Sequence, residues 1–235
     1  MLVLAFDTAG PDCSVALCRY NGGEITTLSC AAERLGRGHA ERLVPMVEAA
    51  LAEVRLTYTD IDRIAVTTGP GSFTGVRVGV SAARVLALAL NIPAVGVGSL
   101  EALALPILRQ WREGSAVAVL DARRGEIFAR AQDIASRDVL IEAQAATVAA
   151  IAAKLLKARR PLILIGEGAP LLAAALDQAE TEIAGLATTP DSAEIARLGA
   201  TASTEVPPVP FYARGADAKP QAGGALAATD WAPAP

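Results

Sequence analysis

The run Gly69-Pro70-Gly71-Ser72-Phe73-Thr74-Gly75-Val76-Arg77-Val78-Gly79 constrains this chain more than any other stretch. It follows an apolar segment, Asp62 to Thr68, that reads as a buried strand, and it opens a helical pattern reaching about Leu90. Gly69-Pro70-Gly71 breaks the strand, and Ser72 is placed to cap the helix. Two readings follow. A glycine-rich strand-to-helix turn can cradle a phosphate on the free N–H groups of the helix start. It is not a Walker A loop, because no Gly-Lys-Ser/Thr follows. It is not a dinucleotide fingerprint, because the third glycine comes one position late. Nor is it a serine-nucleophile elbow, because Pro70 and Thr74 stand where glycines are needed. The second reading is packing. Gly75, Gly79 and Ala83 lie four apart and make one small-residue stripe. Each glycine weakens a helix by about 1 kcal/mol relative to alanine, so a helix with two expects another backbone against that face. Val76, Val80 and Ala87 lie beside the stripe. Its neighbour is either the chain's own sheet or another subunit.

Upstream, Leu2 to Asp7, Cys13 to Tyr20 and Ile25 to Ala32 read as strands. The turn signals Ala9-Gly10-Pro11-Asp12 and Asn21-Gly22-Gly23 join them into an antiparallel meander. Ala40, Leu43, Val47, Ala50 or Leu51, and Val54 recur at helical spacing, with Pro45 marking a helix start or a kink. Pro93 to Val97 is a further short strand. A helix from about Leu100 to Trp111 leads to strands at Ala116 to Leu120 and Glu126 to Asp133, joined by a turn at Asp121 to Gly125. A helix from Val148 to Ala158, a strand from Leu162 to Ile165 and a helix from Asp191 to Ala202 follow. The two halves therefore repeat a theme of strands, helix, strand, helix, which predicts a duplicated α/β architecture. We expect an N-terminal lobe over 1–98, a second lobe over 99–190, a helix and extended segment packing across the lobes over 191–215, and a disordered Ala/Pro-rich tail over 216–235.

Composition narrows the function. The chain has 235 residues, 52% hydrophobic, enough for one large domain or two lobes. The net charge of −4 lacks the basic excess of a stand-alone nucleic-acid binder. The best apolar stretch, Val76 to Ile92, is broken by Arg77 and Arg84, so no membrane span is expected, and the N-terminus has no basic region of a secretory signal. Cys13, Cys18 and Cys30 show no Cys-x-x-Cys spacing and read as reduced structural thiols, which fits a cytoplasmic protein. His39 is the single histidine, and Leu43 stands four residues on, where a second metal-binding histidine would share its helical face. No metal site is expected. Asp7, ending the first strand, can hold Mg²⁺ beside a nucleotide or cap the following turn. Asp121-Ala122-Arg123-Arg124-Gly125-Glu126 occupies the analogous corner of the second half and can grip a nucleotide or a partner, or form a surface salt-bridge cluster. Ser72, Thr74 and Arg77 join Asp7, Asp121 and Arg123 as candidate nucleotide or inter-subunit contacts.

Taken together, Phe6-Asp7-Thr8, Arg37 to Glu41, Gly69 to Gly79, Asp121 to Glu126 and Pro208-Val209-Pro210-Phe211-Tyr212-Ala213-Arg214 resemble, in order and spacing, the bacterial TsaB (YeaZ) family. The resemblance covers about residues 1 to 220. One departure is Ala40, where the family commonly has a small polar residue after its histidine. The resemblance implies the two-lobed fold of the actin, Hsp70 and sugar-kinase (ASKHA) superfamily. It implies a role in making N6-threonylcarbamoyladenosine next to the anticodon of tRNAs that read codons starting with A. It further implies a non-catalytic, dimerising partner of TsaD, the paralogue that holds the metal and transfers the threonylcarbamoyl group, with the ATPase TsaE as a third subunit. TsaD binds its metal with a pair of histidines, and here His39 remains while Leu43 takes the second position. The chain is then expected to be a homodimer when alone, to meet tRNA only through the complex, to hold no tight cofactor and to touch ATP or ADP only within the complex. The implied partner interface is His39, Leu43, Val47, Ala50 and Leu51 on one helix and Gly75, Val76, Gly79, Val80, Ala83 and Ala87 on the next. The alternatives are a small kinase or ATPase of this fold with its own nucleotide site, for which Gly166-Glu167-Gly168 is a weak adenosine-site candidate, and a peptidase, which the missing metal pair and nucleophile oppose.

Overall fold

A computed structural model describes residues 1–177 and 180–213. The tail expected to be disordered lies outside the described residues, as does Arg214. The chain runs β1 (Leu2–Asp7), β2 (Asp12–Asn21), β3 (Glu24–Arg34), α1 (His39–Glu53), β4 (Arg63–Thr67), α2 (Phe73–Leu90), β5 (Ala94–Val97) and α3 (Ser99–Gln110). The order then repeats as β6 (Ser115–Arg123), β7 (Glu126–Asp133), β8 (Val139–Thr147), α4 (Val148–Leu155), β9 (Leu162–Ile165), α5 (Ala169–Ala173), β10 (Thr181–Gly185) and α6 (Ser192–Thr201).

Both halves build a five-stranded sheet with one strand order, β3-β2-β1-β4-β5 and β8-β7-β6-β9-β10. In each, the first three strands pair antiparallel and the last two join in parallel. This duplicated sheet is the two-lobed α/β architecture expected from the sequence. The layers run α1 with α2, the first sheet, α6 with α3, the second sheet, then α4 with α5. The two central helices are exchanged. α3 follows the first sheet in sequence but packs on β6, β7 and β9, whereas α6 closes the chain's second half and packs on β1, β2 and β4. With both faces covered, β1 is buried at every position, which is why it reads as a continuous apolar run. The face toward α6 carries Ala5, Ala16 and Ala65, and a Cβ on Gly199 would overlap the Ala65 side chain, so helix and sheet approach closely.

Local sequence sets the helix starts. The Ser72 hydroxyl accepts from the Gly75 N–H at 3.3 Å and the Asp191 carboxylate from the Ala193 N–H at 2.8 Å. α1 begins at His39 and runs through Pro45, so the proline marks no helix start. Three elements differ from expectation by being found at all. β8 and β10 are edge strands with exposed apolar positions and carry no burial pattern to read, and α5 has 5 residues. α4 stops at Leu155, short of Ala158.

Two expectations are corrected. α2, with 18 residues and a mean hydropathy of 1.5, is long and apolar enough to cross a membrane by length and composition, despite Arg77 and Arg84. One of its faces packs on the chain's own sheet, through Gly75, Val76, Gly79, Val80 and Ala83. The second correction is the interface. Leu43, Val47, Ala50, Leu51, Val76, Val80 and Ala83 are each at most 3% exposed and pack with Leu4, Phe6, Val15, Leu17 and Val66. A Cβ on Gly75 would overlap the Thr8 carbonyl oxygen, and one on Gly79 would lie 2.5 Å from Thr8 Oγ1. The small stripe therefore meets strand β1 of the same chain. These side chains cannot also meet a partner, and Ala87, partly buried, leans on the same core. His39 is half-buried at the cleft described below.

Candidate functional site

The ends of β1, α1, α2 and the β6–β7 hairpin border a cleft of about 1380 Å³ between the lobes. Asp7, Ser72, Thr74, Arg77, Asp121 and Arg123 all line it, together with His39. The structure thus gathers every residue proposed from the sequence as a nucleotide or inter-subunit contact. Arg34, Arg37, Phe73, Ser99, Glu167 and Tyr212 line it as well.

Asp7 sits on its floor and is fully buried. Its Oδ1 accepts from the Ala9 N–H at 3.1 Å and from the Thr67 hydroxyl. Its Oδ2 is buried with no hydrogen-bond partner. Burial pushes this carboxyl above its ordinary range, against the pull of the Thr67 and Ala9 hydrogen bonds and of nearby His39. The Ala9 carbonyl accepts from the Ser72 N–H at 2.7 Å, which ties the end of β1 to the start of α2. His39 Nε2 and Ser99 Oγ are two further buried polar atoms without a partner.

At the mouth, Arg77 lies over the Phe73 ring, 3.8 Å from its centroid, and its Nε donates to the Tyr212 hydroxyl at 2.8 Å. The C-terminal segment is pinned there by the Phe211 N–H, which donates to the Thr68 carbonyl at 2.7 Å. On the opposite lobe the Asp121 carboxylate accepts from the Arg123 N–H at 2.7 Å and pairs with its guanidinium at 3.2 Å. Arg123 and Arg124 both hold positive φ, 64° and 57°, a conformation that costs a non-glycine residue on the order of 1 kcal/mol or more. Gly166 and Gly168 are set by packing: a Cβ on Gly166 would overlap the Val119 carbonyl, and one on Gly168 would lie 2.9 Å from Val119 Cγ1. Their spacing needs no adenosine to explain it.

Ser99 and the Arg77–Tyr212 pair were not singled out in sequence as contacts. Ser99 reads as an ordinary helix start, and residues 77 and 212 meet only through the fold. A second feature lies outside the cleft, on the outer face of α2. Val85 is 65% exposed and Leu88 85% exposed, and Val78, Ala82 and Ala89 share their side of the helix. Val44 on neighbouring α1 is also exposed.

Residues 32–199 match the family model of TsaD, described as tRNA N6-adenosine threonylcarbamoyltransferase. Over 128 residues the chain is 41% identical to the tRNA threonylcarbamoyladenosine biosynthesis protein TsaB of Escherichia coli, covering 54% of this chain and 53% of that one. TsaB of Bacillus subtilis is 37% identical over 128 residues, with the same coverage. The matched stretch thus spans about half the length of these curated relatives. Among solved structures, a Pseudomonas aeruginosa protein described as similar to peptidase YEAZ superposes with a TM-score of 0.70 at 26% identity, covering 91% of this chain and 99% of that one. YeaZ from the same organism gives a TM-score of 0.65 at 26% identity, with 90% and 99% coverage.

Proposed function

Because this chain belongs to the TsaB/YeaZ branch of the family described by the TsaD threonylcarbamoyltransferase model, we propose that it is a non-catalytic scaffold subunit in tRNA threonylcarbamoyladenosine synthesis. It pairs with and activates a TsaD-type paralogue, which carries out the transfer. A TsaE-type ATPase joins them, tRNA is met only through the complex, and the complex works in the cytoplasm.

The observation that carries this reading is the exposed apolar face of α2, where Val85, Leu88 and Ala89 lie uncovered, with Val44 exposed on neighbouring α1. Exposed apolar side chains gathered on one helix face mark an interaction surface. The buried face of the same helix packs on the chain's own sheet, so the outer face is free for a second molecule. Two such helices from each partner make a four-helix bundle across a two-fold or pseudo-two-fold axis. In the absence of TsaD this exposed face pairs with itself, giving a homodimer.

The non-catalytic assignment draws on the metal position. Leu43, where the resemblance puts TsaD's second histidine, is 1% exposed and part of the core. Among the described residues no three His, Cys, Asp or Glu side chains converge. The residues present do not fit a tightly held metal of the TsaD kind.

The test is capture of the TsaD-type paralogue by the wild-type chain and by Val85→Glu/Leu88→Glu. A charge at an interface core costs several kcal/mol if unpaired. The variant should keep its cooperative melt and lose both capture and stimulation of threonylcarbamoyl transfer. Unchanged capture by a folded variant refutes the placement.

A further inference from the structure

We infer that the C-terminal segment carries a second docking surface, an apolar ridge of Val206, Val209 and Tyr212 that seats in a groove of the TsaE-type ATPase. The ridge dictates the chemistry of that groove: aromatic or aliphatic side chains line it, and a carboxylate stands at the end that meets Arg77. The choice of partner rests on the scaffold reading, whereas the ridge itself does not.

The segment is held in place by its inward positions. Pro208 is buried, and its Cα lies 3.5 Å from where a Cβ on Gly96 of edge strand β5 would stand. The Phe211 N–H donates to the Thr68 carbonyl at 2.7 Å. The outward positions have no such task. Val206 is 69% exposed and Val209 58% exposed, and Tyr212, three residues on again, is exposed as well. Residues 207–212 form neither helix nor strand, and Pro207, Pro208 and Pro210 hold φ near about −65°. In the polyproline conformation that such a chain favours, side chains three apart share one side. Scattered exposed apolar residues need no explanation, but a row of them marks an interaction surface. The prolines order this row before a partner arrives, which lowers the entropy lost on docking.

The ridge ends in a cluster of the kind that anchors protein interfaces. Aromatic residues make up only 4% of the chain, and among the described residues the exposed ones are Phe73, Phe211 and Tyr212, all at this place. The Phe73 and Tyr212 rings lie 4.9 Å apart, Arg77 covers Phe73, and its Nε holds the Tyr212 hydroxyl. Tyrosine and arginine fixed before binding are typical interface hot spots. Here the rings and the guanidinium cover one another's faces. They offer edges to a protein groove, not open faces to a nucleic-acid base. Proline-rich segments dock in aromatic-lined grooves of protein partners. α2 has no Asp or Glu, and Arg84 stands two turns beyond Arg77 on the same side, so the partner at this end brings carboxylates. Phe73 lies about 22 Å along α2 from Leu88, so the ridge is separate from the face proposed for the paralogue. That leaves the ridge to the third subunit.

The test is titration of the TsaE-type ATPase, with ATP present, onto the full chain already bound to its TsaD-type paralogue. Val209→Lys, whose side chain is mostly exposed, should melt as wild type does and keep the paralogue. It should bind the ATPase about tenfold more weakly or worse. Tyr212→Ala, which also releases Arg77, should do the same. Should Val209→Lys fail to fold, Val206→Lys takes its place. Unchanged ATPase binding by the folded lysine variant overturns the ridge. Loss of the paralogue, of self-association or of tRNA binding by the complex, with the ATPase retained, gives the ridge to another occupant and equally overturns the inference. Should the wild-type chain not bind the paralogue, the scaffold reading fails by itself, and titration of the ATPase onto the chain alone decides the ridge. Binding that Val209→Lys weakens supports it, and absence of binding overturns it. Val85→Glu/Leu88→Glu should lose the paralogue and leave that two-protein contact unchanged, so failure of the scaffold reading and failure of this one are read separately.

Discussion

At Asp7 the fold holds a carboxylate away from water, and the consequence is a pH dependence with a definite sign. Burial raises its pKa above the ordinary 3.8, so the folded chain binds this proton more readily than the unfolded chain does. Stability from this residue is therefore fully present below pH 3.8 and is lost as pH rises through the folded value. Asp7→Asn should melt at a higher temperature than wild type near neutral pH, with the gap closing on acidification below about pH 4. A gap of constant size across that range contradicts the burial argument. Burial likewise pushes the Cys13 and Cys18 thiols up to about 11, while Cys30 is exposed. A thiol reagent on the native protein should modify Cys30 and leave the other two until unfolding. At this scale the sequence was partly legible. Asp7 and Arg123 stood out as charged residues at strand ends, and the structure brings them to one cleft. The orphaned Ser99 hydroxyl was not legible, because nothing local distinguishes it from a helix-starting serine.

At the scale of elements, α2 carries the clearest expectations. Gly75→Ala would gain about 1 kcal/mol in helix propensity. The added methyl meets the Thr8 carbonyl, part of a strand that cannot yield, and overpacking of this kind costs about 1–3 kcal/mol or more. The net change should be destabilising, read as a lowered denaturant midpoint. Val80→Glu should abolish cooperative unfolding, because its side chain is 3% exposed in the core. Val85→Glu, at 65% exposure, should change stability by only about 0.5 kcal/mol. The glycine and alanine spacing made the close contact legible, but a four-residue repeat does not say whether a strand of the same chain or a partner stands opposite. Thr8 settled that. β8 and β10 escaped notice for the complementary reason: edge strands bury little, so their sequences carry no alternation to read.

On the scale of the whole molecule, the repeated order of strands and helices made the two-lobed class legible. The exchange of α3 and α6 was not, because which sheet a helix covers is decided by packing between residues far apart in sequence. That exchange couples the lobes. Without residues beyond 190 the inner face of the first sheet, with Val3, Ala5, Ala65 and Val95, loses Ile195, Ala196 and Ala200. A chain ending there should fail to fold even in its first lobe, seen as loss of a cooperative melt and exposure of β1 amides to exchange. The scaffold role rests instead on the outer face of α2. Its most direct test is light scattering on the size-exclusion peak of the full chain, alone and mixed with its TsaD-type paralogue. We expect the mass of a homodimer alone and of a heteromeric complex in the mixture, with Leu88→Glu eluting as a folded monomer in both. A wild-type chain that stays monomeric beside the paralogue, or a Leu88→Glu variant that assembles as wild type does, would contradict the scaffold assignment.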